Sequence, residues 1–453
     1  LMLMYPTGAA DIFDQIFRAR ELAVYGVNPF QVPPDAAMFA TDPLRPYVGG
    51  WAGTTSPYGP VWELLAILPA RLAGDDLWTS ILVFKGMVII AYAIAAGLVY
   101  AILRRVRPAW AARGLLFFAW NPLLLWETAG NGHNDMIQVA YLLLSLYLLV
   151  YGGVARILAP AALALAVLCK FVPILLLPVL LATLWQLSRP ARPLRSLDRA
   201  AWARALTPVV LGGVGFIVLV VALYLPFWYG PETVGALARR DLFTASIPNS
   251  LKDVLAGPLG FGEEPAKDVV RTFASAVTAL AALGGAAWVL WHSQAGRSRA
   301  ILRTAFRACY GVFFVYLLLA ALWYQPWYQI WLIALTPLTM RLSHARRTLV
   351  MNAGGVANYF VWSFLLIWNG AFGPVGQWTS ALMVNAPVLV YSAYEWLRPG
   401  RRRGPARAGA GGHAVRSVPP AREPQTIASA SGSLAPPLHV PLEEVEQLRA
   451  HTP

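Results

Sequence analysis

The sequence predicts an all-α, polytopic membrane protein, and three observations lead there. Of 453 residues, 58% are hydrophobic and only 13% are charged, where a soluble domain averages roughly 25% charged. Apolar runs as long as 77–103 recur along the chain, and about 20 apolar residues are enough to cross roughly 30 Å of hydrocarbon. The arginines gather in short clusters between those runs, which is the mark of cytoplasmic loops. A net charge of +14 could otherwise suggest a nucleic-acid partner, but its confinement to loops argues against one. Cys169 and Cys309 sit inside apolar runs and read as small packing residues rather than a disulfide or a metal site.

The arginine clusters set the topology. They are Arg104, Arg105, Arg107 and Arg113; Arg189, Arg192, Arg195, Arg199 and Arg204; Arg297, Arg299, Arg303 and Arg307; Arg341, Arg346 and Arg347; and Arg398, Arg401, Arg402 and Arg403. Placing every cluster in the cytoplasm requires an even number of crossings between neighbours. Run 77–103 then descends, 111–127 rises, 136–152 descends, and 157–187 forms a hairpin with its tip near Lys170. Runs 207–228 and 272–292 flank an outer loop, 229–271, carrying Arg239, Arg240, Asp241 and Pro248-Asn249-Ser250. Runs 308–324 and 327–340 follow, joined by a tight outer turn, then 349–369 and 377–397. The total is about 11–13 spans, several too short to be continuous. Broken helices are tolerated at membrane depth where they line a protein cavity.

Three regions result. Residues 1–76 form a first extracytoplasmic loop, in which Leu1-Met2-Leu3-Met4 reads as the last turn of an earlier span. Within it, 9–25 is expected to be an amphipathic helix lying in the membrane interface, with Phe13, Ile16, Phe17 and Val24 on or near one face. Gly26-Val27-Asn28-Pro29 stops it. The apolar piece 61–73 is too short to span and carries Glu63, Pro69 and Arg71, so it reads as a re-entrant or interfacial helix. Residues 77–399 make the membrane domain. The basic 400–453 tail, rich in Arg, Gly, Ala, Pro and Ser, is expected to be disordered and cytoplasmic, its first arginines resting on anionic lipid headgroups.

Polar groups collect at the outer ends of the spans. Asp11, Asp14, Arg18 and Arg20 lie on the first helix; Asp14 and Arg18 have the spacing of an ion pair, and Asp11 that of a carboxylate stabilised at a helix N-terminus. Next comes Glu127-Thr128-Ala129-Gly130-Asn131-Gly132-His133-Asn134-Asp135, a short turn between two apolar runs. Capping by Asn134 or Asp135 accounts for part of it, but not for His133 beside two carboxylates. A carboxylate–imidazole–amide group suits a phosphate, a metal or sugar hydroxyls. Lys170 costs about 2.5–3.5 kcal/mol at mid-bilayer, so it must reach water, a partner or an anionic ligand; snorkelling and phosphate binding both answer. The aromatic stretch 323–331 serves equally as a membrane anchor or as a stacking surface for sugars and isoprenoids.

At these residues the sequence resembles the GT-C superfamily of membrane glycosyltransferases, and within it the bacterial polyprenyl-phosphate-mannose-dependent α-mannosyltransferases. The matching pieces occur in the family's order over about residues 5–340. They are Asp11 with Tyr25-Gly26-Val27-Asn28-Pro29-Phe30, Ser56-Pro57-Tyr58-Gly59-Pro60, Asn121-Pro122 with Gly132-His133-Asn134-Asp135, the hairpin of Lys170, Pro173 and Pro178, Asn249-Ser250-Leu251, and Gln325-Pro326-Trp327-Tyr328. The resemblance implies a GT-C-like fold with outer juxtamembrane helices in a bacterial plasma membrane. It also implies a polyprenyl-phosphate sugar donor in the outer leaflet and an extracytoplasmic glycan or glycolipid acceptor. The sugar, expected to be mannose, would be transferred with inversion, and arabinose or glucose is the alternative within the same architecture. The general base would be Asp11, with Asp14 second and Asp135 a third candidate. Lys170, His133 or Arg18 would face the leaving phosphate, while Tyr58, Asn131, Asn134, Asn249, Gln325, Trp327 and Tyr328 would line the substrates. No Asp-rich metal motif is present, so no cofactor is expected and no metal site is assigned, although a divalent ion stays compatible. A transporter or lipid-linked sugar flippase is the competing class. It would place ionisable residues deep within several spans, where this chain has chiefly Lys85 and Lys170.

Overall fold

The computed structural model describes residues 1–8, 10–191, 195, 198–238, 242–361 and 374–397. Arg192, the outer-loop residues Arg239, Arg240 and Asp241, the arginines from Arg398 onward and the 400–453 tail lie outside the described residues. Among the described residues, regular structure is helical apart from a single bridge between Thr244 and Trp323.

Hydropathy dictates the frame. Leu77–Val106, Arg199–Phe227, Glu263–His292 and Ser298–Ala320 are each long and apolar enough to cross a bilayer among the described residues. The first of these is α3 (Leu77–Val106), whose N-terminus is capped by Asp76 accepting from the Thr79 amide at 2.6 Å. At about 1.5 Å per residue it reaches from the polar turn of 126–134 to an arginine end. There the Arg105 guanidinium lies over the Tyr151 ring, 4.6 Å from its centroid.

The run expected to rise over 111–127 is interrupted. Helix α4 (Ala111–Ala119) stops before Asn121-Pro122, because proline donates no amide and its ring excludes a continuing turn. The Asn121 side chain then accepts from the Leu124 amide at 3.1 Å and starts α5 (Pro122–Leu125). A π-helical turn over Trp126–Gly130 follows. The chain then bends by 118° into α6 (Asp135–Tyr151). A second π-helical turn, Tyr316–Ala320, follows α12 (Ser298–Val315) and leads into the 321–328 turn. Helix α13 (Gln329–Thr339) then runs through the centre with all its residues buried. The expected hairpin appears as α7 (Ala159–Val167) and α8 (Leu177–Ser188), with Lys170 at the bend between them.

The first helix, α1 (Asp11–Ala23), forms over the expected stretch but is covered by protein on its polar face as well. Every residue from Ile12 to Glu21 is buried, polar positions included, while Val24 is exposed. The loop 42–58 and α2 (Pro60–Ala73) cover the polar face, and their contacts come from residues far along the chain. Arg20, for example, donates to Asp42 Oδ2 at 2.7 Å and to the Gly74 carbonyl at 2.6 Å. Both cysteines are buried free thiols.

Candidate active site

Asp11 and Asp14 occupy the first turn of α1 and meet different surroundings. Asp14 Oδ2 accepts from Arg18 Nε at 2.8 Å, and both side chains are almost wholly enclosed. Arg18 Nη2 also donates to the Trp51 carbonyl at 3.2 Å. Asp14 is therefore consumed by an internal ion pair. Asp11 keeps 24% of its side chain accessible and faces His133, whose Nδ1 is 4.0 Å from its Oδ2. Burial raises the carboxyl's pKa above the ordinary value against the opposing charges of His133 and Lys170.

The polar turn builds the wall opposite Asp11. Gly132 takes φ +75°, a conformation that favours glycine, and it packs against Ile12 of α1, whose Cδ1 a β-carbon would meet at 2.7 Å. His133 stacks on Trp327, with centroids 4.3 Å apart at 17°. Its Nε2 lies 3.3 Å from Glu127 Oε2, an ion-pair distance, although the angle falls short of a hydrogen bond. Burial lowers the imidazole pKa, but Glu127, Asp11 and Asp135 together raise it further than burial depresses it. Asn131 donates through Nδ2 to Glu127 Oε2 at 2.9 Å and accepts from the Gly8 amide at 3.0 Å.

Asp135 and Lys170 join this group. Lys170 Nζ donates to Asp135 Oδ2 at 2.8 Å, and Asp135 Oδ1 accepts from Trp331 Nε1 at 2.7 Å. The ammonium lies 5.0 Å from the centroid of the Tyr328 ring, within cation–π range, and keeps 18% of its side chain accessible. The hairpin tip also holds the Ser56–Pro60 motif. The Gly59 and Val61 amides donate to the carbonyls of Cys169 at 3.3 Å and Leu168 at 3.0 Å. A β-carbon on Gly59 would meet the Leu168 carbonyl at 2.1 Å. Tyr58 thereby comes under α1, where its hydroxyl accepts from Gln15 Nε2 at 3.1 Å.

Not every predicted residue gathers here. Arg18 lies on the enclosed side of α1 with Asp14. Asn249 lies in the first turn of α10 (Ile247–Ala256), which Ser246 caps. No hydrogen bond or ion pair among the described residues joins it to Asp11. Gln325 precedes the Pro326–Tyr328 turn without capping it. Asn134 holds the N-cap position of α6, but its side chain makes no cap, and both amide atoms are buried without a partner. This corrects the capping expectation.

Sequence reasoning assigned no role to Tyr359, used Glu63 only as a mark that 61–73 does not span, and took Trp331 only as part of the aromatic stretch 323–331. Ser56 Oγ donates to Glu63 Oε1, and the Tyr359 hydroxyl donates to Glu127 Oε1. Trp331 follows Trp327 by one helical turn, a usable signal, whereas Tyr359 lay in a run expected to be a plain span. Two grooves lie away from these residues. One, of about 720 Å³, is apolar and lined by residues such as Val350, Leu382, Pro387 and Tyr394. The other, of about 540 Å³, is lined by Asp253, Glu263 and Trp378 among others. The rings of Trp327 and Tyr328 fill the space between turn and hairpin instead. Among the described residues no three His, Cys, Asp or Glu side chains are grouped to hold a metal ion.

The stretch that holds Asp11, the polar turn and Lys170 is also the stretch with a recognisable relative. Residues 1–187 match the MptA_B family model, described as alpha-(1->6)-mannopyranosyltransferase, N-terminal domain. That match covers less than half of the chain and leaves the helices from α9 (Arg199–Tyr224) onward outside it. The fold is similar to two crystal structures of the Archaeoglobus fulgidus oligosaccharyltransferase, one in complex with Zn and sulfate and one in the apo form. The first has a TM-score of 0.43 at 16% identity over 85% of this chain and 50% of that one. The second has 0.43 at 15% identity, over 86% and 52%. This chain thus spans about half the length of those proteins. No curated protein matches it in sequence.

Proposed function

We propose that the protein transfers mannose from a polyprenyl-phosphate donor to a glycan or glycolipid acceptor on the extracytoplasmic side of the membrane, with inversion, and that Asp11 is the base. One observation carries this reading. Asp11 is the first-loop carboxylate with an accessible side chain facing an imidazole and an ammonium, while Asp14 is bound to Arg18 and Asp135 to Lys170 and Trp331. The acceptor oxygen attacks the anomeric carbon as the bond to the donor phosphate breaks, and its proton passes to Asp11. A carboxyl whose pKa burial raises is a stronger base for that proton. The leaving phosphate gains charge, which Lys170 and His133 offset. Trp327 backs the imidazole and Tyr328 the ammonium.

The test uses purified protein in nanodiscs with radiolabelled polyprenyl-phosphate-mannose and a lipid extract from the host as acceptor. Label should move into a product, and Asp11→Asn should reduce the rate by about 10²–10⁴-fold. Because Asp11 must be ionised, the rate should also fall with acid at a pH above the ordinary aspartate range. Movement of a lipid-linked sugar across the bilayer without transfer would overturn the proposal in favour of a flippase.

A further inference from the structure

A line of ionisable side chains runs inward from Asp11, and the proposed reaction uses only its outer part. His133 follows Asp11, then Glu127, then Tyr359 from α14 (Leu342–Phe360). Glu127 is completely buried, and nothing about a tight turn between helices requires a carboxylate there. An enclosed carboxylate persists only when its oxygens are satisfied, and both of these are. Oε1 accepts from the Tyr359 hydroxyl. Oε2 accepts from Asn131 Nδ2 at 2.9 Å and lies 3.3 Å from His133 Nε2. Two fixed donors, from elements 232 residues apart in the case of Tyr359, leave the carboxylate one direction in which to act. That direction is the imidazole.

We propose that Glu127, held by Tyr359 and Asn131, is a positioning residue that keeps a proton on His133 Nε2 and so aims Nδ1 at Asp11. The Trp327 ring, stacked 4.3 Å away, fixes the imidazole plane, and the carboxylate 3.3 Å from Nε2 favours a proton there. Asp11 then faces a ring nitrogen whose state is set from behind, as a metal-binding histidine is set by the partner of its other nitrogen. The charged groups facing His133 are Glu127 from the π-helical turn, Asp11 from α1 and Asp135 from α6. Lys170 and Asp14 act on it through Asp11. Removing Glu127 leaves Asp11 and Asp135 to hold the proton and takes away the negative neighbour nearest to Nε2. The residue that latches the turn, Tyr359, lies outside the stretch similar to the mannosyltransferase family, so the later helices complete the setting of the earlier ones.

The proposal rests on Asp11 as the base, yet its test needs no turnover. The chain has six histidines, so ¹⁵N-histidine labelling gives a small spectrum, and His133→Gln assigns its own resonances. In the parent protein the ring should show a protonated Nε2 throughout the titration. Glu127→Gln should lower the His133 midpoint by about 1–2 pH units and mix the two neutral tautomers. Tyr359→Phe, which removes one oxygen atom and decides the matter if the first variant does not fold, should move the midpoint the same way by less. Midpoint and tautomer unchanged in the variants that fold would overturn the proposal. A ring that shifts as stated in a protein that transfers no sugar would leave this arrangement standing and bring down the proposed function instead.

Discussion

The two sides of α1 hold similar chemistry under different conditions. Toward α2 lie Asp14, Arg18, Glu21 and Glu63, all buried. Both Glu21 oxygens lack a partner, and burial pushes that carboxyl up to about 9; Glu63 is pushed up to about 7 by burial, against its hydrogen bond from Ser56. Toward the polar turn lie Asp11, Glu127, His133, Lys170 and Asp135, three acids and two bases in which Asp11 and Lys170 keep partial access. The first side has more perturbed carboxyls, but no space for a reactant. A perturbed acid becomes a catalytic candidate only where a cation answers it and a substrate can reach it. The enclosed side serves to hold α1 in place, so that Asp11 points at the turn.

The comparison can be broken from either side. After Asp11 itself, the largest effect is expected at Lys170: Lys170→Met should reduce transfer by about 10²–10³-fold, the scale for losing one preorganised partner of a developing oxyanion. Lys170→Met combined with Asp135→Asn should remain equally slow while recovering thermal stability, because the second change removes the carboxylate left without its ion partner. Recovery of activity in the pair would mean that Lys170 serves Asp135 alone. On the enclosed side, Arg18→Met should cost about 3–5 kcal/mol of stability by stranding the buried Asp14 carboxylate. Adding Asp14→Asn should return most of it, as read by thermal unfolding in detergent.

The enclosed side should also carry a pH slope. A carboxyl raised from 4.5 to about 9 binds more protons folded than unfolded across that interval, so the stability it contributes is full below the lower value and is lost as pH rises through the upper one. Unfolding temperature should therefore drop between pH 6 and about 9, and Glu21→Gln should flatten that drop. An equal drop in the variant would show that Glu21 is not the group responsible.

Much of this frame was legible in the sequence because it rests on local rules. Apolar length marks α3 and the later long helices, and the spacing of Asp14 and Arg18 marks their pair, whereas the break at Asn121-Pro122 fell inside a run expected to rise unbroken. The covering of the polar face of α1 was not legible. Periodicity at Phe13, Ile16 and Phe17 reveals an apolar stripe, but the burial of Gln15, Arg18 and Glu21 depends on α2 and the 42–58 loop folding back. The polar turn was conspicuous as a string of residues, whereas its wiring depends on partners far away. Trp331 reaches Asp135 across 196 residues, and Tyr359 reaches Glu127 across 232. Periodicity and spacing within a short stretch cannot report such pairs.

The contrast between the two first-turn carboxylates is the central claim, and one experiment addresses it directly. Asp11→Asn and Asp14→Asn are purified, shown to be folded by their unfolding temperatures, and compared for single-turnover mannose transfer from polyprenyl-phosphate-mannose. The account predicts that Asp11→Asn loses the chemical step while keeping its stability. It predicts that Asp14→Asn is less stable but transfers at a rate within about tenfold of the parent, since Asp14 acts through packing rather than proton transfer. A fully active Asp11→Asn beside an inactive, stable Asp14→Asn would contradict it.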